Sequence, residues 1–269
     1  MKILPLRPVA EISTLAVKFE YAYVFVAGRY NKYSRTLSQT PWVIDGKRKS
    51  ESSVEELIAE HVVRLFEADG FSFSSAGRED IDVRMLGNGR PFLLEIHNPR
   101  NPFVTNEQLA EAERLTNNGS NLIFVRDLQN IPKEDCQQLK EGEEHKKKTY
   151  RCVVCLSEPL TPQRIAILDS LKEKGELQVQ QDTPIRVLHR RTLSTRPKMI
   201  YGISYELIHS HALLLDLETQ AGTYIKEFVH GDFGRTRPNL GSLLDCEADI
   251  LQLDVLSIVF DWPPPMPRV

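Results

Sequence analysis

Residues 76–92 read Ala-Gly-Arg-Glu-Asp-Ile-Asp-Val-Arg-Met-Leu-Gly-Asn-Gly-Arg-Pro-Phe. From Asp80 onward, apolar and charged residues alternate, which predicts a strand with one polar face. The run Gly87-Asn88-Gly89 is typical of a tight hairpin turn and predicts a second strand over residues 91–96. This arrangement would set Asp80 on a rigid sheet beside two arginines. A packed core needs no such cluster of charges, so the stretch indicates a chemical site.

Asp80 also has an ordinary explanation, because aspartates next to glycines often bond backbone amides in a turn. The stretch nevertheless resembles the Gly-Arg-x-Asp motif of pseudouridine synthases, in the extended form of the archaeal and eukaryotic class that modifies the TΨC arm of tRNA. This resemblance extends over nearly the whole chain. It implies that Asp80 is the catalytic aspartate and that Arg78 contacts a phosphate next to the target nucleotide.

Two segments rich in cations carry the resemblance further. In residues 28–35, three cations alternate with aromatic residues, which suits looped RNA because cations pair with phosphates and tyrosines stack on bases. Residues 183–191 contain a dense basic patch on a predicted strand, residues 185–191. Either segment fits a solvated protein surface equally well, and the resemblance is what favours RNA. The predicted RNA-binding residues are Arg29, Lys32, Arg35, Arg78, Arg186, Arg190 and Arg191.

Three further residues complete the predicted site. Tyr150 begins a predicted strand and Lys226 lies on the first turn of a predicted short helix, so composition alone makes them a packing residue and a surface cation. The resemblance implies instead that Tyr150 stacks on the target base and that Lys226 pairs with Asp80. It also implies an aliphatic residue beneath the site, which we assign to Leu244, with Leu243 as the alternative.

Composition sets limits on the partners. The chain has 269 residues, 41% of them hydrophobic, so it can bury a substantial core. Its net charge is −3, so an RNA partner would have to be met by local basic patches. No apolar stretch reaches the length of a membrane span, and the first residues lack the apolar run of a signal peptide. We therefore expect an intracellular monomer, in the nucleus, the cytoplasm or both, that contacts no membrane.

The four cysteines do not predict a metal site. Cys152 and Cys155 lie three residues apart in a predicted strand, which points them to opposite faces and suits neither zinc nor a disulfide. Cys136 and Cys246 supply no second closely spaced pair. The resembled class carries an N-terminal RNA-binding domain with cysteine pairs, and we expect this sequence to correspond to the catalytic domain without it. We expect no metal ion and, because the implied isomerisation is not a redox reaction, no cofactor.

Local signals place two helices. Ser52 and Glu55 form a capping box, which predicts a core-facing helix that ends before Gly70. Thr161 followed by Pro162 predicts the start of another helix.

Helices and strands alternate irregularly along the chain, which predicts an α+β domain with a large, mostly antiparallel mixed sheet, flanking helices and a central cleft. The resemblance implies that this is the pseudouridine synthase fold. We expect residues 1–15 to form a poorly ordered arm and residues 16–269 to form the catalytic domain. A division of that domain into two lobes near residues 130–150 is an alternative.

The resemblance implies a tRNA pseudouridine synthase that isomerises uridine in the TΨC loop. The base is flipped out, its glycosidic bond is broken, and its C5 is joined to the sugar. One alternative is an RNA-binding or small-RNA-processing module that keeps this fold while catalysis is secondary or lost. A glycosidase that uses Glu79, Asp80 and Asp82 is disfavoured, because adjacent strand residues splay apart and would not flank one bond.

Overall fold

The computed structural model describes residues 16–267, without the side chains of residues 141–145. The arm expected over residues 1–15 lies outside the described part. The strands are β1 (Val24–Lys32), β2 (Val43–Ile44), β3 (Lys47–Arg48), β4 (Gly70–Ser75), β5 (Arg84–His97), β6 (Ile123–Ile131), β7 (Lys148–Leu156), β8 (Leu177–Asp182), β9 (Thr195–His209), β10 (Ala212–Thr219), β11 (Thr236–Arg237) and β12 (Ala248–Ile258). The helices are α1 (Val54–Leu65), α2 (Asn106–Gly119), α3 (Cys136–His145), α4 (Pro162–Lys174), α5 (Ile225–His230) and α6 (Leu240–Leu244). Short 3-10 helices cover Lys133–Asp135, Ile185–Val187 and Gly231–Gly234.

Within residues 16–267, ten strands form one sheet in the order β11-β8-β9-β10-β7-β12-β5-β1-β6, and β4 also pairs with β5. The neighbours run antiparallel except β12 and β5, which pair in parallel through Asp254 with Arg84 and Val255 with Met85. The predicted α+β class and the large, mostly antiparallel mixed sheet are confirmed. Strands from both sides of the division considered near residues 130–150 belong to this one sheet, since β6 precedes it and β7 follows it.

Alternation along the strands builds cores on both faces of the sheet. In β1, Val26 joins the main buried cluster, whereas Phe25 and Ala27 join a smaller cluster that includes Leu139 of α3 and Trp262. Helices α1, α2, α4, α5 and α6 all contribute buried residues to the main cluster. The site described below lies at the edge of this main core.

The predicted hairpin at residues 87–89 is wrong, because β5 runs through it as one strand. Lys32 of β1 faces Met85, and Tyr30 faces Arg90, so the extra residues of β5 form a bulge. Gly87 and Gly89 have φ of +54° and +71°, which glycine adopts without strain. A Cβ at Gly89 would lie 2.7 Å from the carbonyl oxygen of Tyr30. The glycines therefore serve a close approach of two strands, not a reversal of the chain.

The strand predicted from Asp80 is also wrong, because β5 begins at Arg84. Asp80 lies instead in a loop, residues 76–83, that joins β4 to β5 and that we call the Asp80 loop. The segment predicted as a strand over residues 185–191 is a 3-10 turn followed by further turns. The Thr183 hydroxyl fixes that conformation, since it donates to the carbonyl of Thr192 at 2.7 Å and accepts from the amide of Ser194 at 3.0 Å.

The helix signals are confirmed in part. Helix α4 begins at Pro162, and Thr161 accepts a hydrogen bond from the amide of Arg164 as its N-cap. The cap of α1 is one residue later than predicted, since the Ser53 side chain accepts from the amide of Glu56.

None of the helices within residues 16–267 has the length and apolar character needed to cross a membrane.

Candidate active site

The carboxylate of Asp80 faces two cations that come from distant parts of the sequence. Arg186 Nη1 donates to Asp80 Oδ1 at 3.1 Å and lies 3.0 Å from Oδ2. Lys226 Nζ lies 3.5 Å from Oδ2. The Asp80 side chain is 34% exposed, so the carboxylate remains accessible from solvent. The structure therefore brings together Asp80 and Lys226, the aspartate and cation predicted from the sequence.

Lys226 has a closer partner than the one predicted. Its Nζ donates to Asp82 at 2.9 Å and 2.8 Å, one bond to each carboxylate oxygen. Burial alone would raise the pKa of Asp82, but the hydrogen bond and charge of Lys226 outweigh burial and lower it. Lys226 thus forms the predicted pair with Asp80 and also bonds Asp82, at a shorter distance.

Arg186 bridges Asp80 to a buried glutamate. Its Nε donates to Glu227 Oε1 at 2.6 Å, while Nη1 faces Asp80. The Glu227 side chain is 2% exposed, and burial of the guanidinium would lower the pKa of Arg186 if the hydrogen bond and charge of Glu227 did not raise it. Arg186 was predicted to bind RNA, yet the structure directs its donor groups to these two carboxylates.

Sequence reasoning missed Glu227, although a signal was present. Its neighbours Ile225, Phe228 and Val229 are buried in the short helix α5. A glutamate in such a helix is almost never buried without a paired cation, so the pattern calls for a partner from another segment.

Lys32 holds the backbone of the Asp80 loop. It was predicted to contact RNA, and its burial corrects that prediction, because Lys32 is a structural residue. It is fully buried, and its Nζ donates to the carbonyls of Leu37 at 2.9 Å, Asp80 at 3.1 Å and Ile81 at 2.9 Å. Burial lowers the pKa of Lys32 to about 8, although the charges of Glu79 and Asp82 oppose this shift. The three protons of the ammonium match the three carbonyl acceptors.

A second buried cluster anchors the start of the same loop. Glu79 accepts from the Tyr30 hydroxyl at 2.9 Å and from Arg90 Nε at 2.7 Å. Arg90 Nη1 also donates to the carbonyl of Ala76 at 2.7 Å, and Gln39 donates to the Tyr30 hydroxyl at 2.7 Å. The side chains of Glu79 and Arg90 are 1% and 2% exposed. The Asp80 loop has no regular secondary structure, but buried polar contacts hold both of its sides.

Tyr150 lies in strand β7, close enough to this cluster for the charge of Arg90 to act on it. Val255 of β12 pairs with Tyr150 on one side and with Met85 of β5 on the other, so Tyr150 is two strands, about 10 Å, from the strand that follows the Asp80 loop. Its ring is partly buried against the main core. Burial raises the pKa of Tyr150 to about 12, and the nearby charge of Arg90 works against this shift. Its predicted role in stacking on the target base stays a prediction.

Leu244 ends helix α6, which packs against α5, the helix that carries Lys226. Its side chain is fully buried in the main core, whereas Leu243 is partly buried at the edge of that core. The Leu244 carbonyl accepts from Arg164 Nε at 2.8 Å, which fixes the end of the helix. Its predicted support of the pocket is compatible with this position.

Arg29, predicted to bind RNA, is corrected to a structural residue because it is only 4% exposed. Its guanidinium donates to four carbonyls, which belong to Asn88, Gly89, Phe260 and Trp262. These bonds hold the bulge of β5 to the segment after β12. Burial lowers the pKa of Arg29 to about 10, helped by the charge of Arg126.

Arg35 ties the Asp80 loop to β12. Its Nη1 donates to the carbonyls of Asp82 at 3.0 Å and Leu253 at 2.9 Å, and its Nη2 donates to Asp254 Oδ1 at 2.7 Å. Its guanidinium is partly exposed, at 26% of the side chain. Most of its donors are therefore used by the protein itself.

Four of the predicted RNA-binding residues are exposed, namely Arg78, Arg186, Arg190 and Arg191, and Arg186 is the one whose donors are taken by Asp80 and Glu227. The other three, Arg78, Arg190 and Arg191, have no such partner among the described residues. Within the described residues, their side chains take part in no hydrogen bond or ion pair with the protein. Arg190 and Arg191 line a cavity next to Tyr224, the residue that precedes α5. Among the side chains that the structure describes, no group of three or more His, Cys, Asp or Glu is arranged to hold a metal ion. The four cysteines are free thiols, and of these Cys152 is buried.

Comparison with known proteins gives consistent matches. Residues 25–259 match the family described as "Pus10, C-terminal". The chain is 52% identical over 260 residues to "tRNA pseudouridine synthase Pus10" of Homo sapiens. The aligned region covers 97% of this chain and 49% of that protein. It is 40% identical over 263 residues to the protein of the same name from Archaeoglobus fulgidus. Here the aligned region covers 92% of this chain and 70% of that protein.

The chain spans about half the length of the first of these curated relatives. A solved structure, "Crystal Structure of a Cbf5-Nop10-Gar1 Complex", matches 86% of this chain and 48% of that chain with a TM-score of 0.45 and 17% identity.

Proposed function

Because the chain belongs to the Pus10 family, matched through its C-terminal domain, we propose that it is the catalytic domain of a tRNA pseudouridine synthase. The observation that carries this proposal is the accessible carboxylate of Asp80, held between Arg186 and Lys226 on an anchored loop. The proposed reaction isomerises a uridine in the TΨC loop of tRNA. We further propose that the protein acts as a monomer inside the cell.

The reaction breaks the bond from N1 of uracil to C1′ of the ribose and forms a bond from C5 to C1′. The uracil must leave the base stack and turn over between these two steps, which requires the nucleotide to be flipped into a pocket. Asp80 either attacks C1′ directly or removes a proton from the sugar as the glycosidic bond breaks. In both routes, the ionised carboxylate is the reactive form, and no electron is gained or lost overall.

The two cations would position Asp80 for either route. Arg186 cannot move freely, because Glu227 binds the opposite side of its guanidinium. Lys226 adds positive charge at 3.5 Å and is itself held by Asp82. Such prearranged charges lower the cost of reorganisation during the reaction.

Tyr150 would offer its ring to the detached uracil, because aromatic faces stack on bases without regard to their orientation. Leu244 would support that pocket from the α6 side. Arg78, Arg190 and Arg191 would bind RNA phosphates, since their guanidiniums are exposed and have no partner within the described residues.

The test is conversion of unmodified tRNA by the purified chain, added in excess so that weak binding does not hide the chemistry. Pseudouridine is then mapped at each uridine. We expect conversion of a TΨC-loop uridine. RNA binding without conversion would overturn the enzyme and favour the binding module, whereas conversion at another position would overturn only the proposed substrate.

A further inference from the structure

A cavity of about 210 Å³ opens beside the candidate active site. It lies between β8, the start of β9 and the turn that precedes α5. Four cations line it, namely Arg190, Arg191, Arg196 and Lys198, and none of its lining residues is acidic. A concave site with this charge attracts an anion.

The guanidiniums in this cavity are not used by the fold. The side chains of Arg190, Arg191 and Arg196 make no hydrogen bond or ion pair with any side chain or backbone group that the structure describes. Two nearby arginines behave differently, because Arg235 donates to the carbonyl of Thr183 and Arg237 donates to that of Gly234. The arginines that stabilise this region therefore have protein partners, and the three in the cavity are left for a ligand.

Lys198 shows that positive charge is crowded there. Its Nζ donates to the carbonyl of Ala221 at 2.7 Å, which holds the ammonium at the cavity wall. Burial and then the charge of Arg196 lower the pKa of Lys198. Gly222, with φ of +74°, permits this approach, since a Cβ there would lie 3.1 Å from Lys198 Nζ. An anion in the cavity would offset the mutual repulsion of these cations.

Two side chains, Tyr224 and Arg186, connect the cavity to the carboxylate of Asp80. Tyr224 lines the cavity, and the Arg186 guanidinium lies 5.8 Å from the centroid of the Tyr224 ring. The same guanidinium contacts Asp80 at 3.0 Å. A strand of RNA that places a flipped uridine at Asp80 would carry its neighbouring phosphodiesters past this cavity.

We propose that this cavity, which we call the phosphate pocket, binds one phosphodiester of the RNA strand next to the flipped nucleotide. The inference rests on the proposed function, which supplies both the RNA ligand and the flipped nucleotide at Asp80. It adds Arg196 and Lys198 to the residues that hold the substrate. It also assigns Arg190 and Arg191 to one site instead of a diffuse basic surface.

The test compares Arg196→Gln with Arg64→Gln, two exposed arginines without a side-chain partner in the described residues; Arg64 lies on α1, on the other part of the sheet. Binding is measured to a TΨC stem-loop RNA that already carries pseudouridine, so that no turnover occurs. We expect Arg196→Gln to weaken binding about threefold to tenfold and to reduce the slope of log K against log salt by about 1. Arg64→Gln should match the wild type, and Arg196→Lys should restore most of the affinity.

A second measurement identifies the phosphate. Each phosphodiester of the stem-loop is replaced in turn by a neutral methylphosphonate. One position should weaken wild-type binding and have no further effect on Arg196→Gln, because both changes remove the same contact. The phosphate pocket would be overturned if Arg196→Gln bound the RNA as tightly as Arg64→Gln does. It would also be overturned if the effects of Arg196→Gln and of the methylphosphonate were additive at every position.

The two proposals fail separately. Conversion of tRNA together with unchanged binding by Arg196→Gln would leave the enzyme standing without the pocket. Pocket-dependent binding without any conversion would leave the pocket standing without the enzyme.

Discussion

At the residue scale, each of the two cations beside Asp80 is shared by two carboxylates. Arg186 lies between Asp80 and Glu227, and Lys226 lies between Asp80 and Asp82. Asp82 bonds Lys226 directly, which leaves Arg186 as the nearer cation to Asp80. The orientation of Asp80 therefore depends on Glu227, a buried residue that binds Arg186 and, among the described contacts, makes no hydrogen bond to Asp80 itself.

Replacing Glu227 by Gln tests this dependence. The loss of charge loosens Arg186, so we expect kcat for pseudouridine formation to fall about tenfold or more, because small misplacements of reacting groups are costly. The KM for tRNA should change little, since Glu227 is buried and does not face the substrate. Glu247→Gln, at an exposed glutamate without a side-chain partner in the described residues, is the matched control. Equal kcat values for the two variants would contradict the positioning role.

Lys32 gives a prediction for stability against pH. Its pKa is about 8 in the folded chain and near 10.5 when exposed, so the folded state releases this proton first. Between these values the unfolded chain binds more protons, and the stability contributed at this position rises with pH. Below pH 8 Lys32 is charged in the folded and the unfolded chain, so the folded state bears the full free-energy cost of burying the ammonium.

The measurement is urea unfolding of the wild type and Lys32→Met at several pH values from 7.5 to 9.5. Subtracting the variant removes the other titrations. We expect the wild type to gain stability relative to Lys32→Met as the pH rises through about 8. A difference that stays constant or shrinks would show that the buried ammonium does not titrate in this window.

At the scale of elements, the bulge in β5 decides where the Asp80 loop lies. Before the bulge β5 pairs with β12 on one side and with the end of β1 on the other, and after it β5 pairs with β1 and β4. Arg29 binds the carbonyls of Asn88 and Gly89 within the bulge. The Asp80 loop precedes this junction, so the bulge sets the direction in which the loop enters the sheet.

Gly89→Ala should destabilise the chain more than Gly175→Ala. Both glycines have positive φ, of +71° and +74°, so each alanine carries a similar backbone strain of about 1 kcal/mol. At Gly89 the new Cβ would also lie 2.7 Å from the carbonyl oxygen of Tyr30, whereas no atom lies within 4 Å at Gly175. We expect a total cost of about 3 kcal/mol at Gly89, measured by urea unfolding. Equal costs would mean that the bulge relaxes easily.

The sequence predicted those parts of the site and fold that local patterns determine. The meeting of Asp80 and Lys226 could be predicted because each stands in a contiguous motif of the resembled family. The start of α4 could be predicted because Thr161 and Pro162 form a local cap. The hairpin was wrong because Gly87 and Gly89 give the same local signal in a turn and in a bulge. Only the pairing of β5 with distant strands distinguishes the two.

Arg29 and Lys32 were misassigned for a related reason. Cations that alternate with aromatic residues look the same whether they face RNA or the protein interior. The acceptors of Arg29 lie near residues 88–89 and 260–262, far away in sequence. Residue composition carries no information about such partners, so their burial could not be predicted.

At the scale of the whole molecule, one sheet gathers the site from three distant segments. The Asp80 loop follows β4, Arg186 lies between β8 and β9, and Lys226 lies on α5 after β10. Strand β12 lies between β7, which carries Tyr150, and β5, and Arg35 ties it to the Asp80 loop. The net charge is −3, yet four cations line one cavity beside the site. RNA binding at this surface would therefore be local and sensitive to salt.

If the carboxylate of Asp80 performs the isomerisation, the single-turnover rate of pseudouridine formation on unmodified tRNA depends on that carboxylate. Asp80→Asn is compared with Asp82→Asn, which changes a second carboxylate of the same loop. We expect Asp80→Asn to lower the rate by at least about 1,000-fold and Asp82→Asn to lower it much less, because only Asp80 would touch the reacting sugar. Conversion by Asp80→Asn at the wild-type rate would contradict the account.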